Sequence, residues 1–193
     1  MLILASQSPR RRELLELAGL TFECIPARGE ESVPEGMSAE EEPEFLALQK
    51  ASEVFAAHPE DVVIGSDTLV VLDGKPLGKP HTEQEAFEML AHLSGREHYV
   101  YTGVAILSPG ERVSFTTVTK VELYALTEEE IWDYIRTGEP MDKAGAYGIQ
   151  GRGALLIRRI HGDYYTVMGL PIAEVVRHLP KRLRTESGNG GVS

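Results

Sequence analysis

The residues best suited to chemistry in this sequence are basic, and they stand where basic residues are unfavourable. Arg10, Arg11 and Arg12 follow Pro9 directly, in what the pattern makes the first turn of a helix. A helix N-terminus already presents unpaired N–H groups and partial positive charge. Guanidiniums added there concentrate positive potential, and the hydroxyl-bearing loop Ser6-Gln7-Ser8 just before them completes a cradle suited to phosphate. A solvated basic turn is the plainer explanation. Against it weighs the background, a formal net charge of −11 over 193 residues, from which a run of arginines departs.

Asp67 is the second oddity. It sits in Gly65-Ser66-Asp67-Thr68 between the apolar runs Val62-Val63-Ile64 and Leu69-Val70-Val71, where a merely buried carboxylate would be costly. A partly buried carboxylate facing cations is how a general base is built. It could equally hydrogen-bond a loop and end strand pairing. Lys50 falls between Leu46 and Val54 on one helix face, and either snorkelling of its stem or an anion-facing role explains it. Lys79, in Gly78-Lys79-Pro80, would be carried back toward the Asp67 strand by a hairpin, or is an ordinary loop lysine. The stretch from Asp142 to Gly151 surrounds one tyrosine and one glutamine with small residues. It reads as a flexible linker, or as a loop shaped to a flat ligand such as a base.

The elements that would carry these residues follow from periodicity and punctuation. Residues 2–5 form a buried strand. Ser8 and Pro9 open a helix closed by Gly19, and a strand follows at 21–25. A helix runs to about Ala57, its start blurred by Pro43. Val62 to Leu72 is a strand, and Asp73-Gly74 a two-residue hairpin turn. Thr82 to Glu85 and Thr127 to Glu130 match the capping box of helices ending near Gly95 and Gly138. Strands are expected at 99–107, 112–125 and 154–160, with His161-Gly162-Asp163 turning into 164–168. Pro171 opens a last helix, and the tail from Lys181 to Ser193 looks frayed. The expected fold is α/β, with a mixed twisted sheet in two lobes around a cleft and one domain over 1–180.

Composition narrows the partners. An acidic chain repels a phosphate backbone at long range, so neither nucleic acid nor an anionic membrane is expected to bind broadly. No stretch has the length to span a bilayer, and the opening apolar run is too short for a signal peptide. Cys24 is the single cysteine, so no intrachain disulfide forms and a cytoplasmic setting is expected. Its alternating surroundings suit a structural thiol.

Taken in order, the segments resemble the Maf family of nucleoside triphosphate pyrophosphatases. The matching pieces are Ser6 to Arg11 with Leu14-Leu15, Lys50-Ala51, Gly65 to Thr68, Lys79-Pro80, Asp142 to Gly151, Gly162 to Tyr164 and Val167 to Pro171. The loop from Lys143 to Gly151 looks like that of the dTTP- and UTP-cleaving branch rather than the 7-methyl-GTP branch. The resemblance implies a fold similar to inosine-triphosphate pyrophosphatases, a divalent metal (Mg²⁺ or Mn²⁺) and often a homodimer. Carried over by position, Asp67 would be the general base, and Ser6, Arg11, Lys50 and Lys79 would bind phosphates. Arg10, Thr68 and Gln150 would govern base choice. Glu31 also matches a site position. Arg12 has no counterpart and receives no role.

Hydrolysis between α- and β-phosphates needs an activated water and charge on the phosphate oxygens, which an Asp, cations and a hard metal can supply. No zinc-type His/Cys spacing is present, so an oxygen-ligated metal is expected. Glu30, Glu31 and Asp67 are its candidate ligands, with Glu31 and Asp67 preferred. The Gln150 amide offers a donor and an acceptor that complement N3–H and O4 of thymine or uracil. Two rivals stay open: a nucleotide-binding regulatory module linked to cell division without turnover, and a pyrophosphatase with a non-pyrimidine preference.

Overall fold

A computed structural model describes residues 1–185. Leu2-Ile3-Leu4 form β1, buried because it is flanked on both sides by parallel neighbours, β2 (Glu23–Cys24) and β3 (Val62–Leu72). Helix α1 (Pro9–Leu17) follows β1, and α2 (Glu42–Ala57) precedes β3. The Asp73-Gly74 turn has positive φ at both residues (52° and 72°), the geometry of a type I′ hairpin. It leads into β4 (Lys75–Leu77), antiparallel to the far end of β3. Then come α3 (Glu83–Leu93), β5 (Glu97–Ser108), β6 (Glu111–Leu123) and α4 (Glu128–Ile135). Three short 3₁₀ turns span 139–155. The described chain ends with β7 (Ile157–His161), α5 (Tyr164–Met168), α6 (Ile172–His178) and α7 (Lys181–Thr185). The sheet is mixed and seven-stranded, ordered β2-β1-β3-β5-β6-β7 with β4 on β3. The α/β expectation with a mixed sheet is met.

The chain divides into two compact units that alternate along the sequence. The first is Met1–Asp67, Thr102–Thr116 and the C-terminal segment from Gly169; the second is Thr68–Tyr101 and Thr117–Met168. Within the first, Ile3, Ala5, Val63 and Ala105 pack against Ala47, Ala51 and Val54 of α2. Within the second, Leu90, Leu93, Ile131 and Ile135 cover Val100 and Val121.

Several local expectations change. Ser8 takes the N-cap position of α1, but its side chain caps nothing, and its N–H donates to Ser6 Oγ at 3.2 Å. Thr127 and Glu130 form the full capping box. Thr82 accepts the Glu85 N–H, but the Glu85 carboxylate takes the N–H of His81 instead. Residues 164–168 are helical because Asp163 Oδ2 accepts both N–H and O–H of Thr166, an N-terminal cap. Part of the tail, Lys181–Thr185, is a short helix; 186–193 lie outside the described residues. The loop after Asp142 is no exposed linker: Gly145, Ala146, Tyr147 and Ile149 are buried. Gly145 makes this possible with φ of 70° and a backbone so close to Val70 that a Cβ would meet it at 2.9 Å.

Candidate active site

Helix α2 reaches its place because two strands lack side chains beneath it. A Cβ at Gly65 of β3 would lie 2.1 Å from the Ala47 carbonyl oxygen, and one at Gly103 of β5 would lie 2.1 Å from the Pro43 carbonyl carbon. Backbone-to-backbone contact of this kind is open only to glycine. It sets Lys50 beside β3. The Lys50 ammonium lies 2.6 Å from Asp67 Oδ1 and 3.0 Å from Glu31 Oε1. Rather than snorkelling to bulk water, its amine stands between two carboxylates. The same helix holds the loop that brings Glu31, since Glu53 accepts the N–H groups of Arg28 and Gly29.

Arg11 is fixed within the same unit. Its Nε donates to the Gly169 carbonyl at 2.8 Å and its Nη1 to Ser6 Oγ at 3.1 Å. Ser66 Oγ donates to the same Gly169 carbonyl at 3.0 Å. Burial lowers the Arg11 pKa from its ordinary value, the charges of Asp67 and Glu31 oppose that shift, and Arg10 adds to it. Among these groups a new one emerges: the Glu42 carboxyl is held above its usual range, first by burial and then by the charge on Asp67.

Six residues singled out from the sequence therefore gather in one unit: Ser6, Arg10, Arg11, Glu31, Lys50 and Asp67. Glu30 is exposed, with no ion pair among the described residues; Glu31 is the neighbour that reaches Lys50. Thr68 follows Asp67 on β3 but is counted with the second unit, as are Lys79 and Gln150. There the N–H of Gly145 donates to the carbonyl of Gly78 at 3.1 Å, joining the loops that carry Gln150 and Lys79. Lys79 is exposed and unpaired among the described residues. Gly169, Ser66 and Glu42 were not singled out. The positive φ of Gly169 (113°) has no sequence signature beyond the glycine itself.

This arrangement suits a polyanion: a guanidinium held by neutral acceptors and an ammonium that can exchange carboxylates for phosphate oxygens. The whole of this pattern sits inside a longer match. Residues 1–182 match the description "Maf-like protein". The chain belongs to the Maf family. Maf relatives include a protein named dTTP/UTP pyrophosphatase from Geobacillus sp. (strain WCH70), 56% identical over 182 residues, spanning 94% of this chain and 97% of the relative. Another of the same name, from Bacillus velezensis, is 52% identical over 178 residues, 92% of this chain and 94% of the relative. Among solved structures, the Staphylococcus aureus Ham1 protein is similar at 16% identity and a TM-score of 0.47, covering 95% of this chain and 88% of that one.

The carboxylates also fit a metal of the expected kind. Among the described residues no three of His, Cys, Asp and Glu cluster as a metal cage. Mg²⁺ is commonly held by one or two carboxylates together with substrate phosphates, and Glu31 and Asp67, converging on one ammonium, match that donor set. No helix among the described residues is long and apolar enough to cross a membrane.

Proposed function

We propose that this protein hydrolyses nucleoside triphosphates, dTTP and UTP preferentially, to the monophosphate and pyrophosphate. The observation that carries the reading is the Lys50–Asp67 contact of 2.6 Å beside a fixed Arg11, in a chain more than half identical to proteins of that name. A carboxylate among phosphate-binding cations would only weaken a pure nucleotide binder, since like charges repel. As a general base it has a use.

Bound triphosphate carries about four negative charges. Arg11, Lys50 and Lys79 would take phosphate oxygens, and Ser6 would keep Arg11 in line. Lys50, drawn to phosphate, leaves Asp67 Oδ1 to accept a proton from the water that attacks the α-phosphorus. The bond from that phosphorus to the bridging oxygen breaks, and pyrophosphate departs with the electron pair. Glu31 and Asp67 would hold a divalent cation, which supplies further positive charge to the phosphate oxygens. Gln150, with Thr68 and Arg10, would read the base edge. The lone cysteine and the small-molecule substrate support a cytoplasmic role in cleaning the nucleotide pool.

The test is direct. Purified protein with Mg²⁺ is incubated with dTTP, UTP, CTP, ATP and GTP, and monophosphate and pyrophosphate are measured. Pyrophosphate release with highest kcat/KM on dTTP and UTP is expected. Release of inorganic phosphate alone, or no turnover, would discard the reading.

A further inference from the structure

The segment that carries Gln150 is closed into a bracket. A Cβ at Gly153 would lie 1.9 Å from the carbonyl oxygen of Gly148, and one at Gly151, whose φ is 62°, would lie 2.6 Å from Glu139 Oε1. At Gly153 the obstacle is backbone, and at Gly151 the left-handed φ disfavours a side chain. Residues 148 and 153 therefore meet, and Gln150 lies in the arc between them. Short arcs of this kind have exposed N–H groups that need acceptors. Glu139 supplies them: Oε1 accepts the N–H of Arg152 at 3.0 Å and Oε2 that of Gly153 at 3.2 Å. The other end is held by Tyr134, whose hydroxyl accepts the N–H of Gly148 at 3.2 Å and hydrogen-bonds the Glu139 carboxylate. Lys143 Nζ donates to the backbone carbonyl of Glu139 at 2.7 Å. One carboxylate thus holds one end of the arc directly and the other through the Tyr134 hydroxyl.

The geometry points to Glu139 as a positioning residue for base selection: its carboxylate, with the Tyr134 hydroxyl, fixes the arc that sets the direction of the Gln150 amide. This inference rests on the reading of Gln150 as the group that faces the base. An amide can rotate to suit different partners, so discrimination demands a backbone that does not. Burial alone would raise the Glu139 carboxyl; the N–H groups of Arg152 and Gly153, the Tyr134 hydroxyl and the Lys143 charge outweigh it and lower the pKa. The carboxylate is therefore ionised at neutral pH, when its hydrogen bonds are of the stronger, charge-assisted kind.

Glu139→Ala and Glu139→Gln, each alone and combined with Gln150→Ala, test the assignment through kcat and KM for dTTP, UTP and ATP. Glu139→Ala should raise KM for dTTP by about tenfold or more, the scale of losing charged hydrogen bonds. Its kcat at saturation should stay within about threefold of wild type. The preference for dTTP over ATP should fall toward that of Gln150→Ala. Glu139→Gln, which keeps its size and one acceptor, should fall between. In the Gln150→Ala background neither change should alter the preference further. A Glu139→Ala protein that melts earlier yet keeps the wild-type preference reduces Glu139 to a structural role and overturns the inference. If Glu139→Ala does not fold, an unchanged preference in Glu139→Gln overturns it equally. Should Gln150→Ala keep the full dTTP preference, the base-reading role itself is wrong and the inference goes with it. A flattened Gln150→Ala beside selective Glu139 variants removes only the inference.

Discussion

Lys50 Nζ stands 2.6 Å from Asp67 Oδ1, and the two side chains are only 16% and 15% exposed. A largely buried ion pair is weak evidence of stability, because desolvation offsets much of the attraction. Under the proposed function the pair is a poised arrangement in which Asp67 and Lys50 hold each other until substrate separates them.

Asp67→Asn removes the proposed base while keeping the shape. Lys50 retains Glu31 at 3.0 Å, so the fold should persist with little change in Tm. Turnover on dTTP should fall by roughly 10²–10⁴, the usual worth of a general base. Near-wild-type kcat in this variant, measured by pyrophosphate release, would take Asp67 out of the mechanism.

Lys50→Met keeps the stem and removes the charge. Asp67 and Glu31 then lose the cation they share, which should cost stability by about 1–3 kcal/mol in urea unfolding. KM for the triphosphate should rise by about tenfold or more, because a charged phosphate contact is lost. Lost stability with an unchanged KM would show that the ammonium serves only the apo protein.

Chelation should separate metal from fold. Glu31 and Asp67 provide two carboxylates and no larger cage is present among the described residues, so any ion is expected to arrive with substrate phosphate rather than to hold the chain together. Activity should vanish in excess EDTA and return with Mg²⁺ or Mn²⁺, while the circular dichroism spectrum stays unchanged. Full activity in chelator would rule out the metal.

The pH dependence of stability should carry the mark of His98. Burial pushes this imidazole down to about 4 from an ordinary 6.5. Its Nε2 meets the Tyr147 hydroxyl at 2.5 Å. Below the unfolded value the unfolded chain binds a proton that the folded chain refuses, so stability falls as pH drops from about 6.5 toward 4. Between pH 7 and 5 the loss should be about 2 kcal/mol. His98→Gln lacks the titration, and urea unfolding should show a shallower slope by that amount. Parallel slopes would mean that His98 is protonated within the fold.

Much of this site was legible because its residues contradict their surroundings. Arginines at a helix start, a lysine on an apolar stripe and an aspartate between valine runs each conflict with local propensity, and such conflicts tend to mark function. The partners were not legible. Arg11 is fixed by the Gly169 carbonyl, 158 residues away, and a backbone acceptor leaves no trace in residue type. The arc around Gln150 looked like a linker because glycines hide how tightly it packs. Ser8 has the right type for a cap, but its side chain caps no helix N–H, and its own N–H is taken by Ser6 Oγ.

The last prediction concerns Gly65, where site and fold depend on the same missing atom. A Cβ there would lie 2.1 Å from the Ala47 carbonyl oxygen and 2.9 Å from both the Ala51 Cβ and its backbone nitrogen. These are backbone and near-backbone atoms of α2, so no side-chain rotation relieves the clash and the helix itself must move. Overpacking of this kind costs about 1–3 kcal/mol or more. Because α2 carries both Lys50 and the Glu53 carboxylate that fastens the Glu31 loop, a displaced helix should also spread the Lys50–Asp67–Glu31 cluster. Gly65→Ala should therefore lose stability and raise KM together. Gly78→Ala is the control, since a Cβ at that glycine meets nothing within 4 Å; it should be close to neutral in Tm. Equal melting temperatures for the two variants would mean that α2 does not rest on β3 at Gly65, and the account of how Lys50 reaches Asp67 would fail.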